Sequence, residues 1–219
     1  MRKFFVLSIA GLLLISSLAS ANIVSYTYNK PLSSTNWTQS FNVQKFDPTL
    51  GALNSVTISV AGSLSQTLMF ENFGSAGSIT FSNSSGTTGC LYKVKYTGGS
   101  DLVTLDIVDA PTYSYTAYDG VMDFGGTSGK TDVVGQMDSF FDVFTDLSTL
   151  IDFTGPGTIG LDATATGRSH YQGGGNIAVG VSTRAGSDVT VTYDYTVPEP
   201  ATMLLLGLGG LALIRKHRA

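Results

Sequence analysis

The chain is poor in the side chains on which most enzymes depend. It holds one cysteine, two histidines and one tryptophan in 219 residues. A single thiol, Cys90, excludes an internal disulfide and a thiolate metal cluster. Opening the stretch "CLYKVKY", it reads as a small buried hydrophobe. His217 sits at the extreme C-terminus, so a Ser-His-Asp arrangement has only His170 to draw on. Ser169 beside it cannot be its partner in extended chain, because adjacent side chains face opposite ways. The surrounding "GRSHYQGGGN" reads as a solvated loop. Glu71 is the only glutamate between residues 22 and 197, which leaves paired-carboxylate glycoside chemistry to aspartates in no recognisable constellation. "GTSGKT" at Gly126 to Thr131 echoes a phosphate loop, but its glycine-to-lysine spacing is wrong. These scarcities point away from an enzyme.

Charge is also scarce, at 13% of residues, and unevenly placed. Five of the 12 basic residues (Arg2, Lys3, Arg215, Lys216, Arg218) lie in the two ends, with one of the 16 acidic residues, Glu199. The stretch between keeps seven basic and fifteen acidic residues, a net charge of −8. Such a surface repels nucleic acid and anionic lipid.

The ends carry the strongest signals. Met1-Arg2-Lys3 is positive, Phe4 to Leu14 is mostly apolar, and Ala19-Ser20-Ala21 is a small-x-small cleavage site. These are the three parts of a secretory signal peptide over residues 1–21, which implies the Sec export machinery and a cut after Ala21. At the other end Ala201 to Ile214 is free of charge. As a helix it reaches ~21 Å, short of the ~30 Å hydrocarbon core. Arg215, Lys216 and Arg218 follow as a basic stop that the positive-inside rule holds in the cytoplasm. Pro198 and Pro200 keep a helix from extending backward. A helix breaker, a marginal membrane helix and a basic stop make a tripartite tail of the kind cut off at a membrane.

Val197-Pro198-Glu199-Pro200, the apolar stretch and the basic cluster resemble the PEP-CTERM sorting signal of Gram-negative bacteria that make extracellular polysaccharide. The resemblance implies recognition by an exosortase, a membrane protease or transpeptidase-like enzyme. It assigns recognition to Pro198, Glu199 and Pro200, the membrane segment to 201–214 and the stop to 215–218. The protein is then anchored in the inner membrane in transit, and ends at the cell surface or outside the cell.

Residues 22–197 are long enough for one domain with its own core. Apolar residues recur with a period of two, as in strands with one buried face. Val56, Ile58 and Val60 share one side of their stretch. So do Ile159, Leu161, Ala163 and Ala165, then Ile177, Val179 and Val181, then Val189, Val191, Tyr193 and Tyr195. Turn signals separate these runs, among them Gly98-Gly99, Gly125-Gly126 and Gly155-Pro156-Gly157. The pattern predicts a mainly β, antiparallel sandwich or jelly-roll-like single domain. In "MDSFFDVFTDLSTLI", Phe140, Phe141, Phe144, Leu147 and Ile151 fall at helical spacing. That predicts a short helix near 138–151, capped by Asp138, with its phenylalanine stripe in the core. A C-terminal hydrophobic helix completes the expected elements.

"FDPTLGALNSVTISVAGSL", "LIDFTGPGTIGLDATATG" and "GGGNIAVGVSTRAGSDVTVTYDYT" resemble the choice-of-anchor E domains, bacterial surface modules that carry differing C-terminal anchors. The resemblance implies a β-rich module and an anchor, with no catalytic residues to carry over.

Three features suggest ligands. Ten aspartates lie between Asp101 and Asp152, and Asp119, Asp123 and Asp132 near glycine-rich loops are the calcium candidates. Their spacing fits no EF-hand or repeat-type calcium loop, and a solvated acidic edge is the alternative. Tyr26, Tyr28, Trp37, Tyr113, Tyr115, Tyr118 and Tyr171 offer a stacking face for sugar rings. Thr164/Thr166 and Thr190/Thr192 are isolated pairs, short of the threonine array that ice binding needs. The expectation is an exported, noncatalytic surface or matrix protein in a polysaccharide or biofilm matrix. A carbohydrate-binding module and an ice-binding protein are the alternatives.

Overall fold

Sheet pairing across the whole length of the chain organises the body. The computed structural model describes residues 21–197. Thirteen strands follow one another: β1 (Ala21–Ser34), β2 (Trp37–Gln44), β3 (Ala52–Asn72), β4 (Gly77–Thr80), β5 (Ser82–Asn83), β6 (Gly86–Thr87), β7 (Gly89–Tyr96), β8 (Asp101–Val108), β9 (Thr112–Tyr115), β10 (Gly129–Phe144), β11 (Thr158–Arg168), β12 (Gln172–Gly173) and β13 (Ile177–Thr196). A 3-10 turn, Pro48–Leu50, precedes β3, and one short helix, α1 (Leu147–Asp152), follows β10. One four-stranded sheet has the order β1-β13-β3-β10, and another the order β2-β11-β7-β8. Their strand pairs are antiparallel. Passing from β1 to β2, from β2 to β3 and from β3 to β7, the chain changes sheet each time, whereas β7 and β8 form a hairpin.

The alternating runs do what the sequence predicts. Val56, Ile58 and Val60 on β3 face Val189, Val191 and Tyr193 on β13, and all six are buried. Opposite them lie Val43, Tyr92, Val94, Leu105, Leu161 and Ala165 from the second sheet, in one shared core. Strands β3 and β13 are 21 and 20 residues long and outrun the second sheet. Their far halves, with Leu68, Phe70, Val179 and Val181, pack a smaller core with Ile79, Phe81 and Tyr115. That core is closed by the three-stranded sheet β12-β4-β9. Ile177, Val179 and Val181 are therefore on one face, as the alternation requires, but in a second cluster.

The helix expected near 138–151 is corrected. Residues 138–144 belong to β10, which pairs with β3 from Gly129 opposite Glu71 to Phe144 opposite Val56. Asp138 stands mid-strand opposite Gly62 and caps nothing. Phe140, Asp142 and Phe144 alternate with Phe141 and Val143, so the same residues fit both periods. Their β-branched and aromatic character, with the bare edge of β3 to cover, decides for the strand. The phenylalanine stripe is not core either: Phe141 is 60% exposed, and only Phe144 packs on the main cluster. The helix is confined to six residues, capped by Asp146, whose carboxylate accepts from Thr149 N (2.9 Å) and Ser148 Oγ (2.7 Å). Those bonds hold the Asp146 carboxyl down to about 2.

Candidate functional site

The first site is the point where the chain leaves the fold. Thr196, the last residue of β13, stands opposite Ala21 of β1 on one side and Ala52 of β3 on the other. Gly51 lies against it with φ +150°, and a Cβ there would stand 2.1 Å from the Thr196 carbonyl oxygen. Only glycine fits that approach. The ring of Tyr195 rests on Phe46, centroids 5.1 Å apart, and Tyr193 packs on Phe46 and Phe153. The chain therefore departs at Val197 from a strand fastened on both edges. Beside the exit is an apolar hollow of about 290 Å³, lined by Phe46, Pro48, Leu53, Leu147, Leu150 and Ile151 among others. Ala21 opens β1, so a cut after it trims a single residue from that strand. Ala19, Pro198, Glu199, Pro200, Arg215, Lys216, Arg218 and the expected C-terminal helix lie outside the described residues. Among the described residues no helix is long and apolar enough to cross a membrane.

Two larger hollows flank an irregularity in β1. Its register with β13 slips between Lys30 and Ser33, at Pro31, which has no N–H to give to the ladder. A hollow of about 600 Å³ on the outer side includes Asn29, Lys30, Ser63, Met137, Asp138 and Asp188 in its lining. Another of about 390 Å³ includes Tyr28, Gln39, Phe41 and Val189. Asn29 Nδ2 donates to Asp188 at 2.6 Å, and Tyr28 stacks on Phe41 with centroids 4.5 Å apart.

The calcium candidates do not converge. Asp119 and Asp123 lie in the loop between β9 and β10, while Asp132 is on β10. Asp119 accepts from the N–H groups of Val121 (3.0 Å) and Thr127 (3.3 Å), and Asp123 from that of Gly125 (2.8 Å). Asp132 instead accepts from the Tyr113 hydroxyl (2.9 Å) and pairs with Lys130 (3.1 Å). Those partners hold the Asp132 carboxyl below its ordinary range, with Tyr113 the largest influence. Burial, helped by that carboxylate, pushes the Tyr113 hydroxyl up to about 12. Among the described residues no group of three His, Cys, Asp or Glu side chains is placed to hold a metal ion.

What organises the loop is a residue that no sequence motif marks. Glu71 is fully buried at the end of β3, accepting from Ser128 Oγ at 2.6 Å and Phe124 N at 2.8 Å. Asn72 beside it donates to the carbonyls of Ser75 (2.9 Å) and Thr116 (2.8 Å). The available signal was a lone carboxylate next to Phe70, where a free charge would have no water.

The aromatic residues do not form one stacking face. Tyr26, Tyr28 and Trp37 pack against the main core, and Trp37 Nε1 donates to the Ala185 carbonyl at 3.2 Å. Tyr113 and Tyr115 share a side, as their spacing requires, but that side lies against Phe70. Tyr118 and Tyr171 are exposed elsewhere. His170 exchanges backbone hydrogen bonds with the Thr88 hydroxyl and is half-buried. Cys90 is fully buried, and burial pushes its thiol up to about 11. Thr190 and Thr192 are not an isolated pair. Their hydroxyls meet those of Thr27 and Ser25 at 2.9 Å, and Ser59 and Thr57 stand opposite on the other flank.

Residues 196–219 match the PEP-CTERM protein-sorting motif. No curated protein sequence matches the chain. Among solved structures, a chain of the infectious bursal disease virus Gx strain overlaps it at 14% identity, over 80% of this chain and 37% of the viral one, with a TM-score of 0.18. The VP2 subviral particle of the same virus overlaps at 15% identity, 80% and 38% coverage, and a TM-score of 0.20. The chain spans less than two fifths of either viral chain, and overlaps this loose carry no argument.

The PEP-CTERM motif begins on the last residue of β13. It marks a secreted protein, anchored in the membrane in transit and processed by an exosortase in a Gram-negative bacterium. The Pro-Glu-Pro step starts two residues beyond the end of the sheet.

Proposed function

We propose that the body is a noncatalytic surface or extracellular-matrix module with a structural or adhesive role in a polysaccharide or biofilm matrix. Its two large sheets are read as a jelly-roll-like sandwich of the choice-of-anchor E kind, working without a resident cofactor. The observation that carries the proposal is the PEP-CTERM motif, joined directly to a closed β-body. The scarcity of histidine supports the noncatalytic part. Intact mass of the protein from its native host, with and without the exosortase, tests the processing. The expected mass runs from Asn22 to between Val197 and Pro200, plus any adduct, with the tail kept when the enzyme is missing. A mass that includes Ala219 in both strains refutes the reading and leaves a permanently anchored domain.

One observation favours a second reading, ice binding. Ser25, Thr27, Thr57, Ser59, Thr190 and Thr192 form two hydroxyl rows across three strands, spaced ~4.8 Å between strands and ~7 Å along them. An ice-recrystallisation assay on the tail-free body tests it. Inhibition lost in Thr190→Lys supports ice binding, and wild-type protein without inhibition excludes it.

A further inference from the structure

We propose that the end of the body carrying Leu50, Leu147 and Ile151 rests on the lipid surface while the tail is inserted in the membrane. The inference rests on the reading of the tail as a membrane-held sorting signal, and adds a contact made by the folded domain itself.

Three placements carry it. The first is distance. Val197 is four Cα steps from Ala201, where the uncharged run begins, so the fold stands within about 14 Å of the inserted segment. The second is direction. Gly51 lies against Thr196, and the apolar hollow lined by Gly51 and Leu53 is also lined by Leu147 and Ile151. The exit and this surface are one end of the molecule. Ala21 stands opposite Thr196, so the first residue of β1 is at the same end.

The third is exposure. Leu147 and Ile151 are four apart on α1 and share one helical face. They are 73% and 62% exposed, whereas Leu150 turns inward onto the core; Leu50, 44% exposed, is on the 3-10 turn whose Pro48 lines the same hollow. A single exposed leucine is ordinary, but a ridge of two on one helical face, with a third on the turn before β3, marks an interaction surface at the chain's exit. The nearby carboxylates select the lipid. Asp47 and Asp146 cap the two helical turns, and Asp152 ends α1. With no basic cluster among them, the surface fits zwitterionic rather than anionic headgroups.

The test places a reporter on that ridge. The full chain with Leu147→Trp is reconstituted into phosphatidylcholine vesicles, with or without brominated acyl chains. The native Trp37 begins β2, seven residues above the Gln44 end of that strand, so it stands ~23 Å away as an internal control. Tyr171→Trp, exposed beyond β11 at the far end, is the second control. Bromination is expected to reduce the added Leu147→Trp emission at least twofold and to leave Trp37 and Tyr171→Trp unchanged. Equal quenching of Leu147→Trp and Tyr171→Trp in protein that floats with the vesicles overturns the contact and leaves the tail reading standing. Failure of the full chain to float overturns both. Protection of Leu147→Trp only when an exosortase is present assigns the ridge to that enzyme and overturns the lipid assignment.

Discussion

Removing the Glu71 carboxylate should release the loop between β9 and β10 and weaken the body by a predictable amount. The carboxylate accepts from Phe124 N and Ser128 Oγ, and both bonds are made out of water. Hydrogen bonds to a charged group are worth ~1.5–3 kcal/mol each, so Glu71→Ala forfeits ~3–6 kcal/mol before compensation. These values are already net of the hydration that the carboxylate gives up on burial, so one effect is left to reduce the figure. Phe124 is held at φ +52°, left-handed backbone that costs a bulky residue ~1–2 kcal/mol and relaxes once the loop lets go. The net expectation is a loss of ~2–3 kcal/mol, with Glu71→Gln losing about half because one acceptor oxygen remains. Equilibrium urea unfolding checks it. At a slope of ~2 kcal/mol per molar, the alanine midpoint should fall by ~1–1.5 M. Limited proteolysis should cut the alanine variant faster between Thr116 and Ser128. An alanine midpoint within ~0.3 M of wild type, with unchanged loop cutting, would refute the assignment of Glu71 as the anchor.

The buried Cys90 thiol should stay unlabelled by iodoacetamide at pH 8 in folded protein and react only on unfolding; labelling at the unfolded rate contradicts its burial. Its raised folded value favours the neutral form, so stability is whole below about 9 and declines as pH climbs toward about 11. The thermal midpoint should therefore drop between pH 8 and 10.5, with burial of the Tyr92 and Tyr193 hydroxyls acting in the same direction. Phe141→Thr should change the unfolding free energy by less than ~0.5 kcal/mol, as befits an exposed position. Tyr193→Ala, which empties a fully buried site, should cost ~3–5 kcal/mol by the same urea measurement. A large loss from Phe141→Thr would restore the core helix to residues 138–144.

A buried face writes a period of two into the chain, which is why the runs at Val56, Leu161 and Val189 were legible as strands without neighbours in view. Strand β10 was not, because Phe140, Phe141 and Phe144 satisfy both a helix and a strand. The bare edge of β3 that decides between them is some eighty residues away in sequence. The hydroxyl rows were hidden for the same reason: Ser25 and Thr192 touch, yet lie 167 residues apart in the chain. The aspartates were easy to count but misleading to group, since local N–H donors and Tyr113 occupy the carboxylates that a metal would need. Glu71 left only its isolation as a clue. The sorting tail, by contrast, is a contiguous signal and needs no fold to be read.

The pairing of β1 with β13 also dictates when the body can fold. The first strand of the domain finds its only large-sheet neighbour in the last one. In a chain that crosses a membrane N-terminus first, β1 emerges first and waits, an unsatisfied edge, until almost the whole chain has crossed. By the time residues 184–196 arrive to close the sheet, the sorting motif is next in line at the membrane. Closure of the domain and arrival of its anchor are thus a single late event, and a chain truncated before β13 would reach the far side of the membrane with its large sheet still open.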